Sequence, residues 1–288
     1  MDAVQGQANE RHQEQIAYWN GEAGSRWLER QAETDRMLAP VLHAAIAHAN
    51  VKPGEVALDV GCGCGASTLA LAQFVAPGGR VVGVDISEPM LARARERVGF
   101  FPHAECLLAD AAAHDFSGLG ADLVFSRFGV MFFGDPIAAF RNLARALKPK
   151  SCIVFACWRP IAENGWMDVP LRAAYKHVPK LPRPGPDDPG PFSFADPERV
   201  RRIFAQAGLP EPSFTKLDVP LDVAGGGGLD RAVRSASEIG AAAQALRDQP
   251  EDVRRAALDE IRRALEPYAQ GDGVLLPGAV WLVETRLS

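Results

Sequence analysis

The stretch Val56-Ala57-Leu58-Asp59-Val60-Gly61-Cys62-Gly63-Cys64-Gly65 decides how this 288-residue chain is read. A short apolar run with one acid near its end predicts a buried parallel strand. It breaks into three alternating glycines and enters Ala66-Ser67-Thr68-Leu69-Ala70-Leu71-Ala72, a helical pattern. Strand, glycine turn and helix N-terminus bring backbone close to a ligand and aim free N–H groups at it. Twenty residues past Gly65, a second strand running from Arg80 to Val84 ends in Asp85. A carboxylate at that place can accept from both hydroxyls of a ribose. The unit reads as a site for a nucleoside-containing cofactor.

Two cofactor classes use such a turn. Gly61-x-Gly63-x-x-Ala66 fits the dinucleotide fingerprint. Asp59-x-Gly61-x-Gly63-x-Gly65 fits the pattern of S-adenosylmethionine (SAM) methyltransferases. The acid inside the strand favours the second class, because a carboxylate there crowds a pyrophosphate with like charge and suits a cofactor carrying sulfonium and ammonium groups.

Later segments continue the pattern. Cys106 to Ala111 reads as a third strand, with Asp110 placed to accept from an adenine amino group. Ala121 to Ser126 reads as a fourth strand, followed by Arg127-Phe128-Gly129-Val130-Met131-Phe132-Phe133. A helix over Pro136 to Leu147, a turn at Lys148-Pro149-Lys150 and a strand from Cys152 to Trp158 complete the run. In order and spacing, residues 56–158 resemble the class I SAM-dependent methyltransferases of the small-molecule type, the group that includes the ubiquinone- and menaquinone-biosynthesis enzymes. More loosely, the resemblance reaches Asp196-Pro197-Glu198 through Gly208-Leu209. It implies a Rossmann-like α/β fold with a seven-stranded sheet whose last strand is antiparallel, SAM as cofactor, and S-adenosylhomocysteine as product.

On this reading Gly61, Cys62, Gly63 and Gly65 pass under the methionine part, and Asp59 orients it through its ammonium group or through the loop. Asp85 takes the ribose, Ile86 and Met90 lie against the adenine, and Asp110 and Ala111 meet its edge. Ser126 or Arg127 sits near the methionine end, and Trp19 and Trp27 border the site. Phe128, Met131, Phe132, Phe133, Trp158 and Trp166 follow strands four and five, at the edge where open α/β sheets bind ligands, and are candidates for an apolar acceptor pocket. Methyl transfer from a sulfonium is mainly a matter of positioning and water exclusion, so a base need not exist; His177, Tyr175, Asp168 and His103 are the candidates if one does. The Phe128–Phe133 segment lacks the Asn/Asp-Pro-Pro-aromatic motif of amide and adenine N-methyltransferases.

Composition narrows the partners. A net charge of −5 and the lack of a dense Lys/Arg run argue against a nucleic-acid substrate. No apolar run is long enough to span a bilayer, and the first residues carry no leader pattern, so a cytoplasmic protein is expected, with a homodimer left open. Five cysteines without a second pair at zinc-ligand spacing predict reduced thiols filling tight positions and no metal site.

The expected organisation is a helical cover over 1–50 whose first nine polar residues are disordered, a SAM-binding core over 51–158, a cap insertion over 159–195, a core helix and strand six over 196–223, a second helical cap over 224–272, and strand seven over 273–288. The Pro-rich run 179–191 predicts an extended surface loop, and Gly225–Gly228 a joint. Both insertions are expected to close over the transferable methyl and select a small acceptor. Two rival readings stay open: an NAD(P)-dependent Rossmann dehydrogenase, although no tyrosine is followed four residues later by lysine, and a non-catalytic SAM-binding partner subunit.

Overall fold

In the computed structural model, which describes residues 2–185 and 187–288, Val56–Val60 forms β1 at the centre of a sheet. It pairs in parallel with β2 (Arg80–Asp85) and with β4 (Ala121–Arg127). β3 (Ala104–Leu108) continues one side and β5 (Leu147–Trp158) the other, both parallel. β7 (Gly273–Arg286) then runs antiparallel between β5 and β6 (Ser213–Asp222). The order β3-β2-β1-β4-β5-β7-β6 is that of an open, doubly wound sheet with an antiparallel pair of strands at one edge. Central strands are buried on both faces, which is why Val56–Val60 and Val81–Val84 read as apolar runs broken only by Asp59 and Gly83.

The N-terminal helices are α1 (Asp2–Asn20), α2 (Glu22–Glu29) and α3 (Gln31–Ala49). α3 buries Leu38, Val41, Leu42, Ala45 and Ile46 against the sheet, at the three-and-four spacing of an amphipathic helix. α4 (Ala66–Val75) and α5 (Glu88–Val98) follow β1 and β2. α6 (Pro136–Ala144) and α8 (Pro197–Ala207) start on Asp135 and Asp196, whose carboxylates accept from the N–H groups of Ala138 and Glu198, each with proline at the first helical position. Phe140, Phe155, Phe194 and Phe204 pack together beneath them.

A second, smaller core lies apart from the sheet. α7 (Gly165–Ala174), α9 (Gly228–Glu238), α10 (Gly240–Leu246) and α11 (Glu251–Leu265) bury Leu171, Ala232, Leu246, Ile261 and Leu265 with Val274 and Leu276 at the start of β7. The two segments that interrupt the sheet fold thus share one apolar cluster.

Several boundaries differ from the sequence reading, each for a local reason. Lys148–Lys150 is not a turn but a bulge inside β5. Pro149 has no donor, Lys150 sits at φ +66°, and the ladder jumps from Ala121–Leu147 to Leu123–Cys152. β3 begins two residues early and stops at Leu108, because an edge strand alternates in exposure and its apolar run misplaces it. The segment 229–247 is two helices, broken at Gly240 with φ +86°. The segment 250–269 is helical only to Leu265, then passes through a turn containing Pro267 to a short arm, Ala269–Gln270, paired with the start of β7. Of the first nine residues expected to be disordered, Met1 lies outside the described residues and the others are helical: α1 begins at Asp2, and it docks on the turn at Gly134, where a Cβ would meet the Ala8 carbonyl oxygen at 2.8 Å.

Candidate active site

The carboxyl ends of β1, β2, β4 and β5 open into one cavity of about 1030 Å³. Pockets for one small ligand run from roughly 300 to 1,000 Å³, so this one has room for a cofactor beside an acceptor.

The glycine turn forms its floor. Gly61, Gly63 and Gly65 all lie in the left-handed region, at φ +67°, +55° and +81°. Gly61 is the most constrained, because a Cβ there would come within 2.6 Å of the Gly129 Cα. The turn after β1 and the turn after β4 therefore touch backbone to backbone, which only glycine permits. Gly65 does not line the cavity; it packs against Ala94 of α5 and lets the helices approach.

Asp85 stands at the end of β2 with its carboxylate held by backbone. Oδ2 accepts from the Gly63 N–H at 2.8 Å and Oδ1 from the Ser87 N–H at 2.9 Å. Each oxygen keeps a lone pair for a ligand hydroxyl. Burial raises the Asp85 carboxyl above the ordinary range, with these N–H groups opposing the shift. Ile86, Met90, Asp110 and Ala111 also line the cavity.

Asp59 does not. It is fully buried, and its Oδ2 accepts from Ser67 Oγ at 2.7 Å and Thr68 Oγ1 at 2.6 Å. It ties β1 to the first turn of α4 beneath the glycines, so of its two expected roles the geometry leaves the one through the loop. Burial pushes its carboxyl up to about 6, and the two hydroxyls pull the other way. Ser126 is likewise buried behind the site, accepting from the N–H groups of Gly129 and Val130. Arg127 does reach the cavity, and its Nε and Nη1 are buried without a partner among the described residues. Burial lowers its pKa, while Asp35 and Asp59 raise it. A buried guanidinium with unpaired donors is costly, and a carboxylate is the group that pairs with it best.

The acceptor candidates Phe128, Met131, Phe132, Phe133, Trp158 and Trp166 all line the cavity. Phe128 stacks on Trp158 with centroids 4.1 Å apart, and Trp166 lies 5.0 Å from Trp158. Phe128 adopts φ +66°, which is rare for an aromatic residue, and its N–H donates to the Ala156 carbonyl at 3.0 Å. Such strain costs about 1–3 kcal/mol and gathers at functional sites.

Of the four base candidates only Tyr175 lines the cavity, and its hydroxyl accepts from the Leu181 N–H at 3.2 Å. The other three are corrected. His103 lies across the sheet with Nε2 2.8 Å from the Ala72 carbonyl oxygen, Asp168 pairs with Arg172 at 2.7 Å, and His177 is exposed outside the cavity. Among the described residues no cluster of His, Cys, Asp or Glu could hold a metal ion, and no helix is long and apolar enough to cross a membrane.

Several contacts in and around the site carry no sequence signal. His12 of α1 lies 3.4 Å from Asp110. Ser87 Oγ donates to the Trp19 carbonyl at 2.8 Å, and Asn20 Nδ2 donates to the Ile86 carbonyl at 2.9 Å. Trp19 meets Trp27 and Phe132 edge to face. Arg97 donates to the Cys64 carbonyl and pairs with Asp35 at 2.8 Å, fixing the far end of the glycine turn to α3. Arg30 pairs with Glu33 and with Glu238 of α9, and Arg231 with Glu33, so the N-terminal helices are bound to the cap. These contacts join groups far apart in sequence, and no spacing rule exposes them.

An open parallel sheet with a glycine turn after its first strand and a carboxylate after its second defines a nucleoside-binding α/β protein. Comparison with known proteins narrows that class. A model of the methyltransferase domain matches residues 57–150. The demethylmenaquinone methyltransferase of Staphylococcus saprophyticus is 31% identical over 174 residues, covering 56% of this chain and 72% of that one. An uncharacterized 37.1 kDa protein in transposon TN4556 of Streptomyces fradiae is 32% identical over 158 residues, and the match spans 53% of this chain but only 44% of that relative. The YcgJ protein of Bacillus subtilis superposes with a TM-score of 0.52 at 16% identity, covering 85% of this chain and 97% of its own. The chain belongs to the class I SAM-dependent methyltransferases. Its cofactor is SAM, which settles the choice that the glycine pattern had left between SAM and NAD(P).

Proposed function

We propose that this protein transfers the methyl group of SAM to an O, N, S or C nucleophile of a small organic molecule. The carrying observation is one continuous cavity that joins the glycine turn, Asp85 and the unpaired Arg127 to an aromatic wall under a helical cap. The donor set fits the cofactor's chemistry. In this reading Asp85 accepts from the ribose hydroxyls, Ile86 and Met90 pack on the adenine, and Asp110 and Ala111 meet its edge. Arg127 takes the amino-acid carboxylate, backbone of Gly61, Cys62 and Gly63 lies along the methionine part, and Trp27 borders it. Asp59, Ser126 and Gly65 act from behind, by holding the two turns.

When bound, the cofactor would supply an electrophilic methyl: an electron pair of the acceptor would form the new bond as the carbon–sulfur pair stays with the sulfur, which becomes neutral. The chain's own part is positioning and dryness. Phe128, Trp158 and Trp166 orient a flat apolar acceptor, while α1, α7 and α10 exclude water. Closure by the N-terminal helices and both insertions favours a small acceptor over a macromolecule. Tyr175, on the cavity lining, is the group that would take or relay a proton where the acceptor must lose one.

Incubation with methyl-labelled SAM and a metabolite extract tests this. A labelled compound of low molecular weight, lost in Asp85→Ala, is the expected product. Label appearing only in protein or nucleic acid would refute the acceptor class, and no turnover with intact cofactor binding would favour the non-catalytic partner.

A further inference from the structure

The cavity lining carries charge unequally. Every carboxylate on it is already engaged: Asp85 with backbone N–H groups, Asp110 with His12, Asp135 with the start of α6, Asp35 with Arg97, and Glu238 with Arg30. Of the arginines on it, Arg26 pairs with Glu22 at 2.7 Å and Arg127 is spoken for by the cofactor end. Arg183 and Arg247 remain. Both are exposed on the lining, and neither side chain makes an ion pair or hydrogen bond among the described residues.

Their placement is set by the cap. Arg183 follows Leu181 in the Pro-rich loop, and Arg247 follows Leu246 at the end of α10. Leu181 and Leu246 pack in the same small core, beside Tyr175. Each insertion therefore contributes one uncommitted cation to the rim, while Phe128, Trp158 and Trp166 supply an inner aromatic wall. Aromatic surface fixes a flat body by burial and stacking, and a guanidinium selects an anion in forked geometry.

We propose, resting on the methyl-transfer reading above, that the acceptor is an aromatic compound bearing an acidic group, a carboxylate or a phosphate. Its ring lies on Phe128, Trp158 and Trp166, and its anion meets Arg183 and Arg247. A neutral analogue leaves those two cations without a partner, and a cationic one is repelled.

Calorimetry on the full chain saturated with S-adenosylhomocysteine tests this with three probes sharing one ring system: 2-naphthoate, 2-naphthyl phosphate and 2-naphthamide. At least one anion should bind about tenfold more tightly than the amide, a preference of the size that charge-assisted pairs give. Whichever anion leads identifies the acidic group. In the double variant Arg183→Gln/Arg247→Gln the preference should vanish while S-adenosylhomocysteine affinity stays, and Arg→Lys at both positions should restore part of it. The proposal fails if the amide matches both anions, if none of the three binds, or if the preference survives in the double Gln variant. Loss of S-adenosylhomocysteine binding by the unaltered protein would instead strike the methyltransferase reading, so the two failures are separable.

Discussion

The two ends of the cavity are built on different principles. The nucleoside end is made of backbone: left-handed glycines, a carboxylate clamped by two N–H groups, and two turns in contact at Gly61 and Gly129. The end proposed for the acceptor is lined by side chains drawn from α1, the turn after β4, α7, the Pro-rich loop and α10. Backbone geometry tolerates little change, so the first end admits few substitutions. Side-chain walls can be rebuilt piecemeal, which lets one scaffold serve different acceptors.

If that contrast holds, the largest single effect belongs to the glycine turn. In Gly61→Val a branched Cβ meets Gly129 and φ +67° is forbidden to it. Cofactor binding should disappear and stability should fall by about 3–5 kcal/mol, read by calorimetry and thermal unfolding. Near-normal affinity would show that the turns can separate and that this end is not rigid.

Asp59 gives the next effect. Its buried carboxyl sits at about 6, above its value in the unfolded chain. The folded protein then holds the extra proton between about pH 4 and 6, so stability declines as pH rises through that window and levels off above it. Up to about 3 kcal/mol is at stake. The stability difference between wild type and Asp59→Asn, followed by denaturant unfolding from pH 4 to 7, should carry this slope. A flat difference would mean that Ser67 and Thr68 already compensate the charge.

Asp85→Ala comes third. Losing a charge-assisted contact to two hydroxyls should weaken S-adenosylhomocysteine binding by about 2–3 kcal/mol with the fold intact. The smallest effect is expected at the cap. Glu238→Gln removes one partner of Arg30 and leaves Glu33, so KM for the acceptor should rise a few-fold, by less than about 1 kcal/mol, with cofactor affinity unchanged. An equal loss at both ends would erase the distinction between them.

The same contrast explains what was legible in the sequence. Gly61, Gly63, Asp85 and Asp110 lie at strand ends within some fifty residues, each identity forced by a backbone need, so residue type and spacing reveal them. Asp59 was legible as a position but not as a support: its spacing cannot tell a carboxylate facing a ligand from one turned under the loop onto Thr68. His12, Arg97 with Asp35, and Glu238 with Arg30 join groups that only the folded chain brings together. Three of the four base candidates lie away from the cavity for the same reason: His103, for one, is near β3 in sequence, but it faces the Ala72 carbonyl. The bulge at Lys150 and the break at Gly240 show the remaining limit, since Pro and Gly announce an interruption without saying which kind.

One titration bears most directly on the central claim, that this cavity is a SAM site joined to an acceptor pocket. The purified chain is titrated calorimetrically with S-adenosylhomocysteine and, separately, with NADH. Stoichiometric binding of S-adenosylhomocysteine, weakened on the order of a hundredfold in Asp85→Ala, with no heat from NADH, is the result predicted. Binding of NADH in its place, or S-adenosylhomocysteine binding indifferent to Asp85, would contradict the account.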